Sequence, residues 1–516
     1  MNVLLVMRTP GHARNFESTL RLMAERGHRV HVGLEAQSRA PSQWSALERL
    51  SAEHPEITYG SAPRRRDLWA AMARDLRLSL DFLSYFHPRY EDARGFREWT
   101  ARHAPAAIRR LAGWPLLRTR RGRAGLAAAL GRLERAVPTD PEIDAFLTER
   151  RPDLLLVTPV TEFGTPQSDY LRGARRLGIR TGICIYSWDN LTTGGRIRDV
   201  PDLVTVWNGY QHEEAVELHG IPEARIVATG AQAWDHWFAW TPSRERQAFC
   251  EEVGLRADRP VVLFVGSSPY VRDEVGYVTE WIARLRERGG ALGEAGILIR
   301  PHPQGADRWA GFALSAVENV AVWPAGGADP IGPQAKVDYF DSIHHCAAVV
   351  GVNTTAFVES AVVGRPVLSW LAPGFRDSQE GMLHFRYLLE SEGGPLTVTP
   401  SFEEHADQLA RALGGEFDAE RNRAFVRRFV RPHGLEEPAT PRLVSAIEGA
   451  GAGPAPAPRS DSAETRALRT VVAPVAAGWS LWADRARTVK RVRRRVRRTR
   501  RWQRRTVSRA AERVMR

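Results

Sequence analysis

Short apolar runs alternate with amphipathic helical segments along most of this chain. The first run, Asn2–Met7, leads through a glycine-containing turn into a helical segment near 14–26, and a second apolar run follows at 29–33. A strand, a tight turn, a helix and another strand in this order are typical of the start of a doubly wound domain. The alternation stops near residue 64, resumes near residue 153 and continues to about residue 230.

A second set of apolar runs begins at 259–266. Four more runs follow, separated by helical segments, at 296–300, 319–323, 347–351 and 366–370. Runs of this length between helices are what a parallel sheet with both faces covered requires. The predicted fold class is therefore α/β, with two Rossmann-like doubly wound domains that face each other across a cleft.

Two further segments depart from this alternation. Residues 64–136 are rich in Arg, Ala and Leu and predict a helical insertion, which shapes a binding site, faces a membrane or simply packs on its domain. A later stretch rich in Ala, Gly and Pro marks a linker. The predicted units are an N-terminal domain at 1–238, a C-terminal domain at 239–450, the linker at 451–463 and a tail at 464–516.

The positive charge of the chain is concentrated in this tail. The whole chain carries a formal charge of +13, and the segment 485–516 alone contains 16 Lys and Arg residues against one acid, Glu512. The other 484 residues therefore have a net charge of −2. Apolar residues recur in the segment near helical spacing, as at Val492, Val496 and Trp502. A basic amphipathic helix with a tryptophan is typical of a helix that lies in a membrane interface.

We therefore expect the segment from Arg485 to Arg516 to bind an anionic membrane surface, where each cation contributes about 1 kcal/mol. The preceding residues 471–482 include two tryptophans suited to the headgroup region. A solvated tail and nucleic-acid binding are the alternatives, and no specific nucleic-acid partner is expected because no base-reading module accompanies the tail. No apolar stretch is long enough to predict a membrane-spanning helix.

The cysteines and the N-terminus indicate the compartment. Cys184, Cys250 and Cys346 are scattered and form no Cys-x-x-Cys pair, which argues against a disulfide framework or a structural zinc site. The N-terminal apolar run stops at Arg8 and is too short for the core of a signal peptide. The expected location is the cytoplasm, with the tail peripheral at the inner face of the membrane.

Polar residues follow the predicted strands of the second domain. Ligands of open parallel sheets bind beyond the carboxyl ends of the strands, so these residues form a candidate site. Their hydroxyls, guanidinium and imidazole, with the amides at a helix start, suit a pyrophosphate. The candidates are Ser267, Ser268, Arg300, His302, Asn353, Thr354, Thr355 and Glu359.

Two of these candidates have equally plausible structural roles. Glu359 lies one helical turn beyond Thr355, where it either accepts hydrogen bonds from ribose hydroxyls or is a first-turn acid favoured by the helix dipole. Thr354 fits a phosphate contact and also a plain helix N-cap.

Two motifs of this candidate site resemble motifs of a known enzyme group. The segments Arg300-Pro301-His302-Pro303 and Asn353-Thr354-Thr355, the latter followed by Glu359 and by Gly364-Arg365-Pro366, are similar to paired motifs of GT-B glycosyltransferases. CDP-glycerol glycerophosphotransferases and bacterial capsule sialyltransferases are close parallels. In those families the His-Pro and paired-hydroxyl motifs hold the phosphates of the donor nucleotide. The resemblance implies this donor-binding role for Arg300, His302, Thr354 and Thr355.

The resemblance extends over roughly residues 150–430. The run at 219–230 is similar to the entry into the second domain in these families and in nucleotide-sugar epimerases. Residues 187–192 resemble surface-carbohydrate biosynthesis proteins. Asn353-Thr354-Thr355 departs from the usual Asp-x-Ser-Ser form, which leaves the identity of the nucleotide open.

The resemblance implies that the first domain binds an acceptor. Inverting transfer needs a base that takes the proton of the acceptor. His12, on the first strand–helix turn, and Asp189 are the two catalytic candidates, with an exposed loop histidine and a structural Asx turn as the alternatives. Gly11 and Glu162 are further acceptor-side candidates.

The last features of the expected site are a loop near the cleft and the lack of a metal-binding motif. The loop at 377–385, with Gln379 and His384, either closes over the donor or is a solvated connector. No Asp-x-Asp lies at a strand end in acidic company, so no obligatory metal and no other cofactor are expected. Arg300 and His302 would then neutralise the leaving nucleoside diphosphate.

Together these features predict a metal-independent transferase of the cell envelope. It would move a sugar or a sugar-like group from a nucleotide-activated donor to a surface-polysaccharide or lipid-linked acceptor. A nucleotide-sugar 2-epimerase is the alternative enzyme, since it would use the same cleft without an acceptor. A non-catalytic GT-B scaffold in polysaccharide assembly is the alternative outside the enzymes.

Overall fold

The computed structural model describes residues 1–268, 271, 273–309, 317–330, 332–379, 381–483 and 485. Over these residues the chain forms two α/β domains, each built on one parallel sheet. The predicted class, with two doubly wound domains, is confirmed. The predicted basic helix of the tail lies outside the described residues from 486 onward. No helix in the described ranges combines the length and the apolar content needed to cross a membrane.

Seven parallel strands form the first sheet. They are β1 (Asn2–Met7), β2 (Arg29–Leu34), β3 (Ile57–Ser61), β4 (Leu154–Thr158), β5 (Arg180–Cys184), β6 (Leu203–Val206) and β7 (Ile226–Ala228). Their order is β3-β2-β1-β4-β5-β6-β7, so the direction of strand addition reverses between β1 and β4. The register sets Val3 opposite Val30 on one side and Leu154 on the other. Such a reversal point is where doubly wound sheets open a crevice for ligands.

Ten helices connect or cover these strands. They are α1 (Glu17–Glu25), α2 (Ser45–Glu53), α3 (Ala70–Ser84), α4 (Arg94–His103), α5 (Ala106–Ala112), α6 (Arg120–Ala136), α7 (Pro141–Arg150), α8 (Ser168–Leu177), α9 (Asn190–Thr193) and α10 (Gly209–Glu217). Local sequence determines several of their ends. Asp140 caps α7 by accepting the N–H groups of Glu142 and Ile143 at 3.0 Å, and Pro141 occupies the first helical position.

Six parallel strands form the second sheet. They are β8 (Val261–Val265), β9 (Gly296–Arg300), β10 (Val320–Val322), β11 (Ala348–Gly351), β12 (Val367–Trp370) and β13 (Leu396–Thr399). The order is β10-β9-β8-β11-β12-β13, with the reversal between β8 and β11. All residues of β8, β9 and β11 are buried, because helices cover both faces of the sheet. The helices are α11 (Arg246–Val253), α12 (Glu274–Arg288), α13 (Gly290–Glu294), α14 (Pro333–His344), α15 (Ala356–Val362), α16 (Phe402–Leu413), α17 (Ala419–Phe429) and α18 (Ala439–Gly451).

The predicted helical insertion contains α3 to α6 and is tied to the first domain by buried charges. Arg77 of α3 donates to Asp169 of α8 at 2.7 Å and to Glu134 of α6 at 3.0 Å. Arg65 also donates to Asp169, at 2.8 Å. All four side chains are buried, so each charge depends on its partners to offset its lost hydration.

The chain crosses between the domains twice. The first crossing contains a 3₁₀ helix, Gln232–Phe238, and the second leads from α17 into α18. Asp235 joins the crossings, since its carboxylate accepts the N–H groups of Ala439 at 2.9 Å and of Thr440 at 2.7 Å. The predicted boundary at 450 assigns α18 to the second domain, whereas its apolar face packs in the core of the first. The apolar residues of α18 have the spacing of any core helix, so the sequence does not reveal which domain they cover.

The chain beyond α18 also stays on the first domain. Arg180 donates to the carbonyl oxygen of Ala450, just before the linker, at 2.6 Å and to that of Pro454, within the linker, at 2.7 Å. Residues 463–483 then form a helix, called here the C-terminal helix. Its residues Val472 and Ala476 are buried against the insertion, where they meet a cluster that includes Trp69 and Met72.

We expect Arg77→Met to lower the free energy of unfolding by about 3 kcal/mol or more, because it leaves the buried carboxylates of Asp169 and Glu134 short of one cation. The measurement is urea denaturation followed by circular dichroism. Arg74→Met, an exposed position on the same helix, should change stability by no more than about 0.5 kcal/mol. Equal stability of the two variants would show that the buried charges do not hold the insertion.

Candidate functional site

A cavity of about 570 Å³ lies between the two domains. The second domain contributes residues that follow three neighbouring strands, β8, β9 and β11, and the first contributes the segment after β5. The 3₁₀ helix of the first crossing and the residues after it form a further wall. The carboxyl ends of strands from both sheets therefore open onto one space, as expected for ligand sites of this architecture.

The structure brings together nine of the fourteen residues predicted from the sequence. The nine that line the cavity are Asp189, Ser268, Arg300, His302, Asn353, Thr354, Thr355, Glu359 and His384. The five that do not line it are Gly11, His12, Glu162, Ser267 and Gln379.

Arg300 is a buried cation at the end of β9. Its Nη1 donates to Ser342 Oγ at 3.1 Å, and its guanidinium lies 5.0 Å from the ring centre of Tyr339 and 5.4 Å from that of Trp323. Nη2 has no hydrogen-bond partner among the described residues. Burial lowers the pKa of Arg300 to about 10, so the side chain stays charged at neutral pH. A buried guanidinium with an unused N–H suits an anionic ligand.

His302 presents a neutral imidazole between two prolines. Its Nδ1 accepts the backbone N–H of Gln304 at 3.2 Å. Because Nδ1 is the acceptor, Nε2 carries the proton in the neutral ring and is left as a donor. Burial, more than the nearby Arg14 and Arg308, lowers the pKa of His302 from its ordinary value. The ring is thus a neutral hydrogen-bond donor at physiological pH.

Glu359 lies on α15 and faces the ring of Tyr339. Tyr339 Oη donates to Glu359 Oε2, and both side chains line the cavity. Removal of the carboxyl group from water raises the pKa of Glu359 to about 7. A carboxyl group that titrates near neutrality both accepts and donates hydrogen bonds, which suits the hydroxyls of a ribose or a sugar.

The segment after β11 is fixed by local hydrogen bonds. Asn353 Nδ2 donates to the carbonyl oxygen of Ser378 at 2.7 Å. Thr354 Oγ1 accepts the N–H of Ala356, the first residue of α15, at 3.4 Å, whereas the N-cap position belongs to Thr355, which makes no side-chain capping bond. Thr355 Oγ1 accepts the indole N–H of Trp188 at 3.2 Å and so connects the two domains.

On the side of the first domain, Asp189 lines the cavity and His12 does not. Asp189 Oδ1 accepts the hydroxyl of Ser187 at 2.6 Å. The ring of His12 contacts Thr9 Oγ1 at 2.9 Å and packs edge-on against Tyr186, with 5.5 Å between ring centres. Burial lowers the pKa of His12 to about 4. The prediction of His12 as a base at the cavity is corrected: the 3₁₀ turn Pro10–Asn15 directs its later residues to the cavity instead.

The other four residues outside the cavity have structural contacts. Gly11 leaves room for Gln43, whose Oε1 would lie 1.7 Å from an added Cβ. Glu162 pairs with Arg8 at 3.0 Å. Ser267 is buried and donates its N–H to Glu274 at 2.7 Å. Gln379 is buried and donates to Ser369 Oγ at 2.9 Å, which anchors the loop.

His384, the second loop candidate, does line the cavity. Its ring packs edge-on against Trp188 with 4.7 Å between centres, and burial lowers its pKa. The loop at 377–385 is therefore in contact with the cavity rather than a wholly solvated connector.

Sequence reasoning missed two groups of cavity residues. The first is an aromatic wall from the first crossing, Trp234, His236, Trp237 and Trp240. Their density within seven residues was a signal, since a mere connector rarely carries so many aromatics. The second group is cationic, Arg14 and Lys336. These two cations belong to different domains, and nothing in their local sequence indicates that they meet.

The same cations form ion pairs across the domain interface. Arg14 pairs with Asp329 of the second domain, and Lys336 Nζ lies 2.7 Å from Glu17 Oε1 of the first. Across the ranges described, no group of three or more His, Cys, Asp or Glu residues is arranged to hold a metal ion. Metal independence stays a prediction.

Comparisons with known proteins give structural matches alone. No protein-family model and no curated protein sequence matches the chain. A glycosyltransferase from Rickettsia africae matches with a TM-score of 0.49 at 9% identity, over 87% of this chain and 98% of the other. The UDP-GlcNAc 2-epimerase from Neisseria meningitidis bound to UDP-GlcNAc matches with a TM-score of 0.48 at 12% identity, over 87% and 100%. WaaG, a glycosyltransferase involved in lipopolysaccharide biosynthesis, matches with a TM-score of 0.46 at 12% identity, over 87% and 100%.

Matches at this level carry no inference about the reaction or the ligand of this chain. Any functional conclusion must rest on the residues of the cavity.

We expect Glu359→Gln to flatten the dependence of stability on pH. The folded pKa of about 7 lies above the ordinary value of 4.5, so between these values the folded state binds more protons than the unfolded state. The stability of the native protein therefore falls as pH rises through this window, whereas glutamine stays neutral. The difference between the melting temperatures of the variant and the native protein (variant minus native) should therefore increase from pH 5 to pH 8. Glu318→Gln removes the same charge at an exposed position and should leave the profile unchanged; parallel profiles for Glu359→Gln would contradict the assignment.

Proposed function

We propose that this chain is a transferase that moves a sugar or a sugar-like group from a nucleotide-activated donor to a surface-polysaccharide or lipid-linked acceptor. One observation carries the proposal: Arg300, His302 and Glu359, from separate segments of the second domain, line a single cavity between the domains. The cavity volume of about 570 Å³ suits a small molecule of nucleotide-sugar size.

The donor is assigned to the side of the second domain. Arg300 supplies a buried positive charge with an unused N–H, and His302 supplies a neutral donor beside it. A diphosphate placed against these groups gains charge-assisted hydrogen bonds away from bulk water. The carboxyl group of Glu359 accepts from hydroxyl groups of the same ligand. In this arrangement Arg300 and His302 also stabilise the diphosphate as it leaves.

The acceptor is assigned to the side of the first domain. In the proposed reaction the acceptor hydroxyl oxygen bonds to the anomeric carbon while the bond from that carbon to the phosphate oxygen breaks. The hydroxyl proton passes to a base, and Asp189 is our candidate because it lines the cavity while His12 does not. The aromatic wall at residues 234–240 offers flat apolar faces for the sugar rings of either substrate. No metal ion is required in this scheme.

We expect His302→Ala to weaken binding of the donor about tenfold to a hundredfold, which is the usual effect of losing one hydrogen bond to a charged group. The measurement is the rise in melting temperature with UDP-, CDP-, GDP- and CMP-linked sugars, followed by turnover of the donor that binds. His87→Ala is a matched control, because His87 is exposed and its Nδ1 accepts a backbone N–H two residues on, as His302 does.

The outcomes of this experiment separate the candidate functions. Unchanged affinity and turnover in His302→Ala would overturn the site. Interconversion of the donor sugar without any acceptor would identify a 2-epimerase. Binding without turnover, with all acceptors tried, would favour the scaffold.

We further propose that the protein is cytoplasmic and peripheral at the inner face of the membrane, held there by the tail from Arg485 to Arg516. The support is the charge of this segment, 16 Lys and Arg residues against one acid. Attraction between such a segment and anionic lipid is worth about 1 kcal/mol per cation near the surface.

A chain that ends at residue 483 should bind vesicles containing phosphatidylglycerol at least about tenfold more weakly than the full chain at low salt. The measurement is co-sedimentation with vesicles. The truncation is placed after the C-terminal helix, because removing that helix would uncover Trp69 and Met72. Equal binding of the two chains would contradict the role of the tail.

A further inference from the structure

Exposed apolar side chains are concentrated in one region of the described chain. Eleven large apolar side chains are exposed in the described ranges, and nine of them lie on the insertion, on the turn that leads into it or on the C-terminal helix. The other two are Val227 and Phe417. The most exposed are Leu116 at 82% and Val471 at 72%. The nine are Leu68, Leu111, Trp114, Leu116, Val471, Val475, Trp479, Leu481 and Trp482.

The C-terminal helix has one apolar face that is buried and another that is exposed. One side carries Val472 and Ala476, which are buried against the insertion. Val471 and Val475 lie about 100° away around the helix axis and are exposed, although they are as apolar as the buried pair. Burial on the insertion therefore accounts for one face of the helix and leaves the apolar character of the other unexplained.

The C-terminal helix is anchored on the insertion by two hydrogen bonds. Arg469 Nε donates to the carbonyl oxygen of Ala136, at the end of α6, and Trp479 Nε1 donates to Asp75 of α3 at 3.0 Å. Both contacts lie where α6 ends beside the first half of α3.

Helices α3 and α6 are antiparallel, so the end of α3 lies beside the start of α6. Phe82 and Leu83 near the end of α3 pack with Leu126 of α6, while Arg77 pairs with Glu134 further along. The turn at 113–119 lies directly before α6 and packs on its first turn, where an added Cβ at Gly122 would lie 2.1 Å from the carbonyl oxygen of Leu116. Trp114 and Leu116 therefore lie at the end of the insertion where α3 ends and α6 begins.

The segment that contains this turn is strongly basic. Between Trp99 and Leu133 the sequence contains eight arginines and no Asp or Glu. Seven of the eight are exposed: Arg102, Arg109, Arg110, Arg118, Arg120, Arg121 and Arg132. Exposed tryptophan and leucine side chains set among arginines match the headgroup region of an anionic bilayer, with its apolar interior and negative surface. Phosphate-only contacts with a nucleic acid would leave Leu111 and Leu116 without a function.

We propose that residues 109–121 form a docking surface for an anionic lipid bilayer. The surface belongs to the folded part of the chain, is additional to the tail and does not depend on the donor site. Leu111, Trp114 and Leu116 enter the headgroup region, and the surrounding arginines contact lipid phosphates.

This orientation would place the cavity close to the membrane. Trp99 of α4 lines the cavity, and Leu111 of α5 follows it by twelve residues. The chain between them is helical except at residues 104 and 105 and spans at most roughly 25 Å, so the docking surface lies within that distance of the cavity. A lipid-linked acceptor would then reach the cavity without leaving the bilayer surface.

The test uses the full chain with Trp114→Ser and Leu116→Ser combined. Binding to phosphatidylcholine vesicles containing phosphatidylglycerol is measured at about 0.5 M salt, where a Debye length of roughly 4 Å screens the attraction of the tail. We expect at least about tenfold weaker binding than for the native chain, since two large apolar side chains no longer enter the bilayer. Val227→Ser with Phe417→Ser is the matched control, because these side chains are 39% and 38% exposed outside the proposed surface. The control should bind like the native chain.

Further measurements keep the result unambiguous. The patch variant should retain the melting temperature and the donor-induced shift of the native chain, so loss of vesicle binding would not reflect loss of the fold or of the donor site. Arg109→Gln with Arg110→Gln should weaken binding to phosphatidylglycerol vesicles and leave binding to pure phosphatidylcholine unchanged. Equal vesicle binding by the patch variant and its control would overturn the proposal. The proposal would also be overturned if the patch variant bound vesicles like the native chain but bound duplex DNA more weakly, which would indicate a nucleic-acid surface. Unchanged vesicle binding with loss of a dimer in sedimentation would overturn it as well, because the patch would then be an interface between copies of the chain.

Discussion

Parallel strands can be joined only by crossovers that return the chain to the edge from which the previous strand began. All the carboxyl ends of a sheet therefore lie along one edge, and residues far apart in sequence are forced together there. In this protein the edges of two such sheets border one cavity. Arg300 after β9, Asn353 after β11 and Asp189 after β5 meet because of this constraint, and the burial and charge that suit the cavity to an anionic ligand follow from it.

The same constraint explains which strands the sequence predicts. Strands at the centre of a parallel sheet are buried on both faces, so β8 and β9 are continuous apolar runs and are predicted to within two residues at each end. The edge strands β3 and β13 were missed. Both are partly exposed, and their sequences, Ile-Thr-Tyr-Gly-Ser and Leu-Thr-Val-Thr, mix polar and apolar residues without a clear run. Burial on both faces makes a strand easy to recognise. Among the edge strands, β10 keeps an apolar run and was predicted, whereas β3 and β13 lack such a run.

Candidate residues of the second domain were easier to identify than those of the first. Their positions depend on strand ends within one sheet, which the apolar runs reveal. Ser267 shows the limit of this reasoning, because the turn after β8 directs Ser268 to the cavity and buries Ser267 against Glu274. The prediction for His12 was wrong because its ring packs edge-on against Tyr186, a residue far away in the sequence. Arg14, Lys336 and the aromatic wall depend on how two domains meet, which no local pattern encodes.

The double crossing between the domains also determines how they can move. A single covalent connection would let one domain swing and twist freely about the other. Here two connections run side by side, and the carboxylate of Asp235 on one binds the backbone of Ala439 and Thr440 on the other. Two tethers joined in this way restrict the directions in which the domains can rotate relative to each other. A rotation that opened the cleft would break the ion pairs of Arg14 with Asp329 and of Lys336 with Glu17.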